Sequence, residues 1–215
     1  MPILTDLAGS VERITGHPPD VIVLSAAEVR RLGLALDPPV QLESLDALFL
    51  HRHWGMQDVG IGVLASHLPF DERLTIGFNP DLAEALGIEA PEVLGTKEGR
   101  PLGMIGGFAG GDLLERVVAA FGEPEAVEQG SGAQIRRVAA VGAMTDELVR
   151  EAAARGAGAY VTGQMRAPAR RAVTETGIAV IAIGHRRSEV WGLHLLARLL
   201  RAEWPGLETV VLDTP

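Results

Sequence analysis

RVAAVGAMTDELVREAAARGAGAYVT, residues 137–162, spells out a strand, a helix and a second strand together with their boundaries. Arg137 to Val141 is a short apolar run that ends at Gly142. Thr145 is placed to cap a helix running through Arg155, with Asp146 and Glu147 in its first turn and Gly156 as its stop. Ala159 to Thr162 is the next strand. Further along, Pro168 opens a helix that Gly177 closes, and Ile178 to Ile183 is a third, continuously apolar strand. A long helix from Ser188 to about Glu203 and a final strand, Glu208 to Leu212, complete the run. Alternating strands and helices predict a parallel sheet with right-handed crossovers, and strands apolar along their whole length fit burial on both faces.

The long helix is apolar round most of its circumference, with His194, Arg198 and Arg201 as its one polar stripe. It is expected in a deep core, with a subunit interface as the alternative. The first half is more broken. Val21–Leu24, Leu32–Leu36, Leu45–Leu50 and Val59–Ala65 read as strands, and Pro38-Pro39 excludes a helix directly after the second of them. Asn79-Pro80 through Leu86-Gly87 is a compact helix with cap, first-turn proline and terminal glycine in place, and Asp112 with Glu115 starts another that reaches Phe121. GTKEGRPLG (95–103) and EQGSG (128–132) are turn-rich segments where a lobe boundary is expected.

A chain of 215 residues, 47% of them apolar, has enough material for a sizeable core. Its net charge of -9 repels phosphate backbones, so nucleic-acid binding is not expected; the best basic patch is Arg166, Arg170 and Arg171. Zero cysteine removes disulfides, thiolate metal sites and thiol nucleophiles. MPILTDLAGS lacks the pattern of a secretory signal, and no uncharged apolar stretch approaches the roughly 20 residues that cross a bilayer. A cytoplasmic protein with no membrane partner is the expectation. Ser66, Ser131 and Ser188 have no glycine-framed elbow, which argues against a serine hydrolase, and GGFAGGD (106–112) lacks the Lys-Ser/Thr of a P-loop.

Histidines and carboxylates carry the candidate chemistry. His185 follows the third strand and Glu189 comes one helical turn later, so both point the same way if the helix begins near Arg186. Such a pair lies beyond the carboxyl end of a strand, where α/β sheets gather ligands. The competing reading has Glu189 complementing the helix N-terminus, but its apolar neighbours make an unpaired carboxylate costly there. His67 and Asp71 in HLPFD form a second pair; Pro69 between them is expected to block a helix and leave a strand-to-loop turn. His51 and His53 end a strand and in extended backbone would share a face, with Arg52 opposite. His17 is read as surface. Imidazole and carboxylate together suit zinc, iron, manganese or nickel without distinguishing them.

LFLHRH, SHLPFD followed by GFNPDLAEALGI, PLGMIGGF, RVAAVGA, GAYVTGQ, AIGHRRSEVWGLHLLARLL and the closing VVLDTP together resemble the dinuclear-metal-centre hexameric proteins, known in bacteria as homologues of GTP cyclohydrolase I type II. The resemblance covers most of the chain from Leu32 onward. It implies an α/β fold of two similar lobes with largely parallel sheets flanked by helices, here residues 1–98 (shortened) and 99–215, a cleft site between the lobes, and a homohexamer. It also implies divalent metal ions held by His51, Asp71, His185 and Glu189. The second member of the family's His-His pair falls on Arg52, which has no lone pair for a metal, so His53 or His67 would have to supply a nitrogen. Arg52 could instead replace a metal's charge, or clamp a phosphate or carboxylate. Gln164 stands where the family has an acidic residue after T-G, the family's N-terminal tryptophan motif is absent, and the spacings from Asp37 to His51 and from His51 to His67 are short. The expected function is divalent-metal binding, with one or two ions per chain and hydrolase chemistry on a nucleotide or another phosphorylated small molecule. The alternative is a non-catalytic metal-binding or structural homo-oligomer.

Overall fold

A computed structural model describes residues 1–38, 42–56, 59–132 and 134–213. In chain order its elements are α1 (Leu4–Thr15), β1 (Asp20–Val23), β2 (Arg31–Ala35), β3 (Ala47–Leu50), β4 (Gly62–Ala65), α2 (Leu68–Leu74) and α3 (Pro80–Leu86). They continue with the strands β5 (Ile88–Lys97) and β6 (Arg100–Phe108), α4 (Leu113–Phe121), β7 (Ala126–Glu128), β8 (Arg137–Val141), α5 (Asp146–Ala154) and β9 (Ala159–Thr162). A short 3-10 turn, Ala167–Ala169, leads into α6 (Arg170–Thr176), followed by β10 (Ala179–Ala182), α7 (His185–Glu203) and β11 (Glu208–Val211). The chain divides into two compact units, Met1–Leu74 with Glu189–Pro215, and Thr75–Ser188. Each is a sheet with helices, so the α/β expectation holds.

The first unit's sheet has the order β1-β4-β3-β2-β11, with β11, β2, β3 and β4 parallel and β1 antiparallel at the edge. Strand alternation gives it two apolar faces. Leu32, Leu34, Phe49 and Leu64 pack with Leu4, Leu7, Phe70, Leu193, Leu196 and Leu200 of α1, α2 and α7. Ala35, Leu48, Leu50, Val63 and Ala65 face the other way, against Leu42, Leu45, Met56, Val59 and Ile61. Those covering residues belong to the β2–β3 and β3–β4 connections, whose described residues contain no helix. The short spacings noted in the sequence are therefore parallel crossovers in which loop side chains cover the sheet. Of the Pro38-Pro39 pair, Pro39 lies outside the described residues, as do Thr214 and Pro215 of the closing VVLDTP.

The second unit's sheet has the order β5-β6-β8-β9-β10-β7. Its centre, β8-β9-β10, is parallel as expected, while β5, β6 and β7 are paired antiparallel, so this sheet is mixed. Thr145 Oγ1 accepts from Leu148 N at 3.2 Å, and Gly177 closes α6 in the left-handed region, as the sequence predicted.

Three expectations change. The turn-rich segment 95–103 is the tip of the β5–β6 hairpin, turned by Glu98 (φ 53°) and Gly99 (φ 79°), both left-handed as a two-residue hairpin loop requires. The divisions fall instead after Leu74 and after Ser188, not between 98 and 99. The final strand, β11, joins the first sheet beside β2, so the first unit is completed by the C-terminal segment. Finally, HLPFD is helical: α2 begins at Leu68 with Pro69 in its first turn, where a missing N–H breaks no intrahelical bond. Among the described residues no helix is long and apolar enough to cross a membrane.

Candidate metal centre

Parallel pairing of β2, β3 and β4 brings three strand ends level. Ala35 pairs with Leu50, and Leu50 with Ala65. The residues that follow, Asp37, His51-Arg52 and Ser66-His67, therefore gather along one sheet edge, where parallel sheets place their ligands. His51 is fully buried. Its Nδ1 lies 3.2 Å from the Ser66 carbonyl oxygen, which can only accept, so Nδ1 carries the proton and donates it. Nε2 then faces two carboxylates, Glu189 Oε1 at 3.1 Å and Asp71 Oδ1 at 3.4 Å. Nε2 thus presents its lone pair beside two carboxylate oxygens, the donor arrangement that a metal ion takes.

α2 supplies the next two groups. The Asp71 amide donates to the His67 carbonyl at 3.0 Å, closing the first helical turn and putting both side chains on one face. His67 Nε2 is 3.9 Å from Asp71 Oδ2, and donor atoms of His51, His67 and Asp71 all lie within 4.8 Å of one another. With metal–ligand bonds of about 2.1 Å, donors at a tetrahedral angle stand about 3.4 Å apart, so the trio would hold one ion once its wider-spaced donors draw inward. Two imidazoles and one carboxylate leave other coordination positions open, which is the ligand set of a reactive rather than a closed structural site. Rings hold the trio in place: His51 sits 4.8 Å from Phe70 and 4.7 Å from His67, and Trp54 meets His67 edge-on at 5.1 Å. Trp54 itself is exposed.

Glu189 is only 2% exposed, and the cost of burying it is offset by Arg52. Arg52 Nη1 donates to Oε1 at 2.7 Å and Nη2 to Oε2 at 3.3 Å. The other edge of the same guanidinium forks onto Asp37, with Nε to Oδ1 at 2.8 Å and Nη2 to Oδ2 at 3.1 Å. Asp37 foremost, then Glu189, hold the guanidinium proton more firmly than in an ordinary arginine, against the opposing effect of burial. The expectation that His51 and His53 share a face with Arg52 opposite does not hold. β3 ends at Leu50, alternation stops there, and His51 and Arg52 both turn to Glu189. His53 is half-buried, its carbonyl accepts from the Met56 amide, and it is not among the three grouped donors.

His185 opens α7 in the second unit and is exposed, with the Ser188 hydroxyl donating to its carbonyl. His17 is exposed, as read. The basic patch is neutralised in part, Arg170 by Glu128 and Arg171 by Glu175. Two contributors went unread in the sequence, Asp37 and Trp54. The signal for Asp37 was its place two residues beyond β2, abreast of Arg52 two residues beyond β3.

The chain is similar to proteins called GTP cyclohydrolase 1 type 2 homolog. One from Archaeoglobus fulgidus is 27% identical over 220 residues, covering 90% of this chain and 87% of the relative. One from Pseudomonas aeruginosa is 32% identical over 160 residues, covering 72% of this chain and 62% of the relative. Among solved structures, reduced HcgD from Methanocaldococcus jannaschii has the same fold, with a TM-score of 0.77 at 20% identity over 99% of this chain and 98% of that one. Residues 54–215 match the Duf34/NIF3 (NGG1p interacting factor 3) family, and the chain belongs to that family.

Proposed function

We propose that this protein binds a divalent metal ion through His51, His67 and Asp71 and uses it for hydrolysis of a small molecule. The observation that carries the reading is the buried His51 Nε2 facing Asp71 and Glu189, with His67 completing a two-imidazole, one-carboxylate set. Such an ion supplies Lewis acidity to a carbonyl or phosphoryl oxygen and makes water a better acid. The chain's own groups do the positioning. Ser66 fixes the His51 tautomer, the α2 turn presents His67 and Asp71 together, and Arg52 holds the Glu189 carboxylate in one orientation beside Nε2. His185, one turn before Glu189 on α7, is a further ligand candidate by the resemblance alone. The relatives' names favour a nucleotide, or another phosphorylated compound, as the substrate class. A cytoplasmic homohexamer is part of the same proposal.

Metal analysis after equilibration with Mn²⁺, Zn²⁺ or Fe²⁺ tests the binding: retention by the wild type and loss in His51→Ala and Asp71→Ala support it, and no retention with any of the three refutes it. Catalysis has its own test, metal-dependent turnover across a panel of nucleotides and phosphate esters. Full metal occupancy with no turnover would favour a non-catalytic metal-binding oligomer, a reading to which the engaged Arg52–Glu189 pair lends support. Light scattering at the mass of a monomer would remove the hexamer.

A further inference from the structure

We propose that Arg52 is a built-in cation that limits this centre to a single metal ion. The inference rests on the metal reading above and concerns how many ions the site takes. Two carboxylates, Asp37 and Glu189, converge on one point, and the group standing there is a guanidinium that forks onto each of them. Four hydrogen bonds of 2.7–3.3 Å occupy both oxygens of both acids. Paired carboxylates bridged by a cation are what a second divalent ion would need, and Arg52 already fills that role with a planar group that carries no lone pair.

Charge decides the stoichiometry. Asp37, Asp71 and Glu189 bring three negative charges, and Arg52 returns one. One divalent ion on the His51 side neutralises the remainder. A second would add two further positive charges beside a fully buried imidazole and a carboxylate that is 2% exposed, which low-dielectric surroundings disfavour strongly. It would also have to displace the guanidinium from Glu189. With a neutral side chain at position 52, the guanidinium bridge between Asp37 and Glu189 is gone and the place it fills can accept a second ion.

The test is the number of Mn²⁺ or Zn²⁺ ions retained per chain, by mass spectrometry of the metal, in wild type, Arg52→His and Arg52→Lys, with circular dichroism as the check on folding. Expected counts are one, two and one, because lysine keeps the charge. A wild-type count of two, a count of one in Arg52→His, or a count of two in Arg52→Lys overturns the inference. One ion in all three variants refutes it while leaving the metal reading intact; zero in all three refutes the metal reading and the inference falls with it. If Arg52→His does not fold, Arg52→Gln is expected to hold two ions and to gain more in Tm from added Mn²⁺ than the wild type does. An equal gain overturns the inference.

Discussion

Helices α2 and α7 carry Asp71 and Glu189, and they approach each other at Gly192, so a methyl group there is the sharpest probe of the site's scaffold. A Cβ at Gly192 would lie 2.9 Å from the Leu74 carbonyl oxygen and 2.9 Å from Phe70 Cζ, with Phe70 Cε1 at 3.2 Å. Leu74 is backbone and Phe70 is fully buried, so neither yields without moving α2. Gly9, inside α1, is the matched control, since its Cβ would meet only the flexible end of Arg13, at 3.4 Å. Alanine in place of glycine inside a helix stabilises by about 0.5–1 kcal/mol, and this gain is common to both positions. Overpacking a filled core costs about 1–3 kcal/mol and applies to Gly192→Ala alone. The difference between the two variants therefore isolates the overpacking. At about 2–4 °C per kcal/mol for a chain of this size, a central cost of about 2 kcal/mol separates their Tm values by about 4–8 °C. The assay is thermal unfolding by circular dichroism in chelator, followed by metal titration. Gly9→Ala should melt above the wild type and keep its metal affinity; Gly192→Ala should melt well below Gly9→Ala and bind metal more weakly, because Asp71 moves with α2. A Gly192→Ala protein as stable as Gly9→Ala would refute the close contact and the positioning built on it.

In chelator, Arg52→Met removes the guanidinium from the buried Glu189 carboxylate and should cost about 3 kcal/mol, the low end for a broken buried pair because Arg52 is partly exposed; adding Glu189→Leu should recover most of it, by denaturant titration. His51→Ala should weaken metal binding by about 100-fold or more, beyond what loss of a supporting group costs, whereas His53→Ala should leave it within about twofold, because only His51 is among the grouped donors. Equal losses would contradict the grouping. Glu92 is held below the usual carboxylate range by the Arg155 hydrogen bond first and the Arg137 bond next. Its contribution to stability is present above the ordinary glutamate value of about 4.3 and is lost as pH falls further, so Glu92→Gln should lessen the fall in stability on the acid side. Parallel acid-unfolding curves for variant and wild type would contradict it.

The strands and caps were legible because their signals are local. Thr145, Asn79, Gly177 and Gly87 act within a few residues of themselves, and their helices begin and end where the sequence placed them. What could not be read was partnership across distance. β11 looks like the last strand of the run 137–183, yet it pairs with β2, more than 170 residues earlier by its register of Glu208 with Arg31. Nothing in ETVVL specifies that partner. The hairpin of β5 and β6 was hidden by its own composition, since the glycines at 95, 99 and 103 read as turn, whereas Gly103, like Gly106, is a strand residue packed against backbone: a Cβ would sit 2.6 Å from Ala140 O at Gly103 and 2.4 Å from Glu89 O at Gly106.

The site shows the same division between local and distant information. Its imidazoles and carboxylates were recognisable by type, and the α2 pair by spacing once Pro69 is allowed into a first turn. The assembly depends on register. Because Ala35, Leu50 and Ala65 stand abreast, the residues just beyond them are forced together, and a two-residue overrun on β2 and on β3 sets Asp37 against Arg52. Strand alternation, the rule that put His51 with His53, ends with the strand at Leu50. Past that point the backbone is free to turn, and the buried charge of Glu189 selects who turns toward it: an imidazole on one side and a guanidinium on the other. A carboxylate 2% exposed needs a cation, and position 52 supplies one that cannot be removed by a chelator. Arg52 pairs with Glu189 in the absence of any metal ion, which is why Arg52→Met belongs in chelator and Arg52→His in metal: the first measures the cation as a structural group, the second tests the proposal that it stands in the place of an ion.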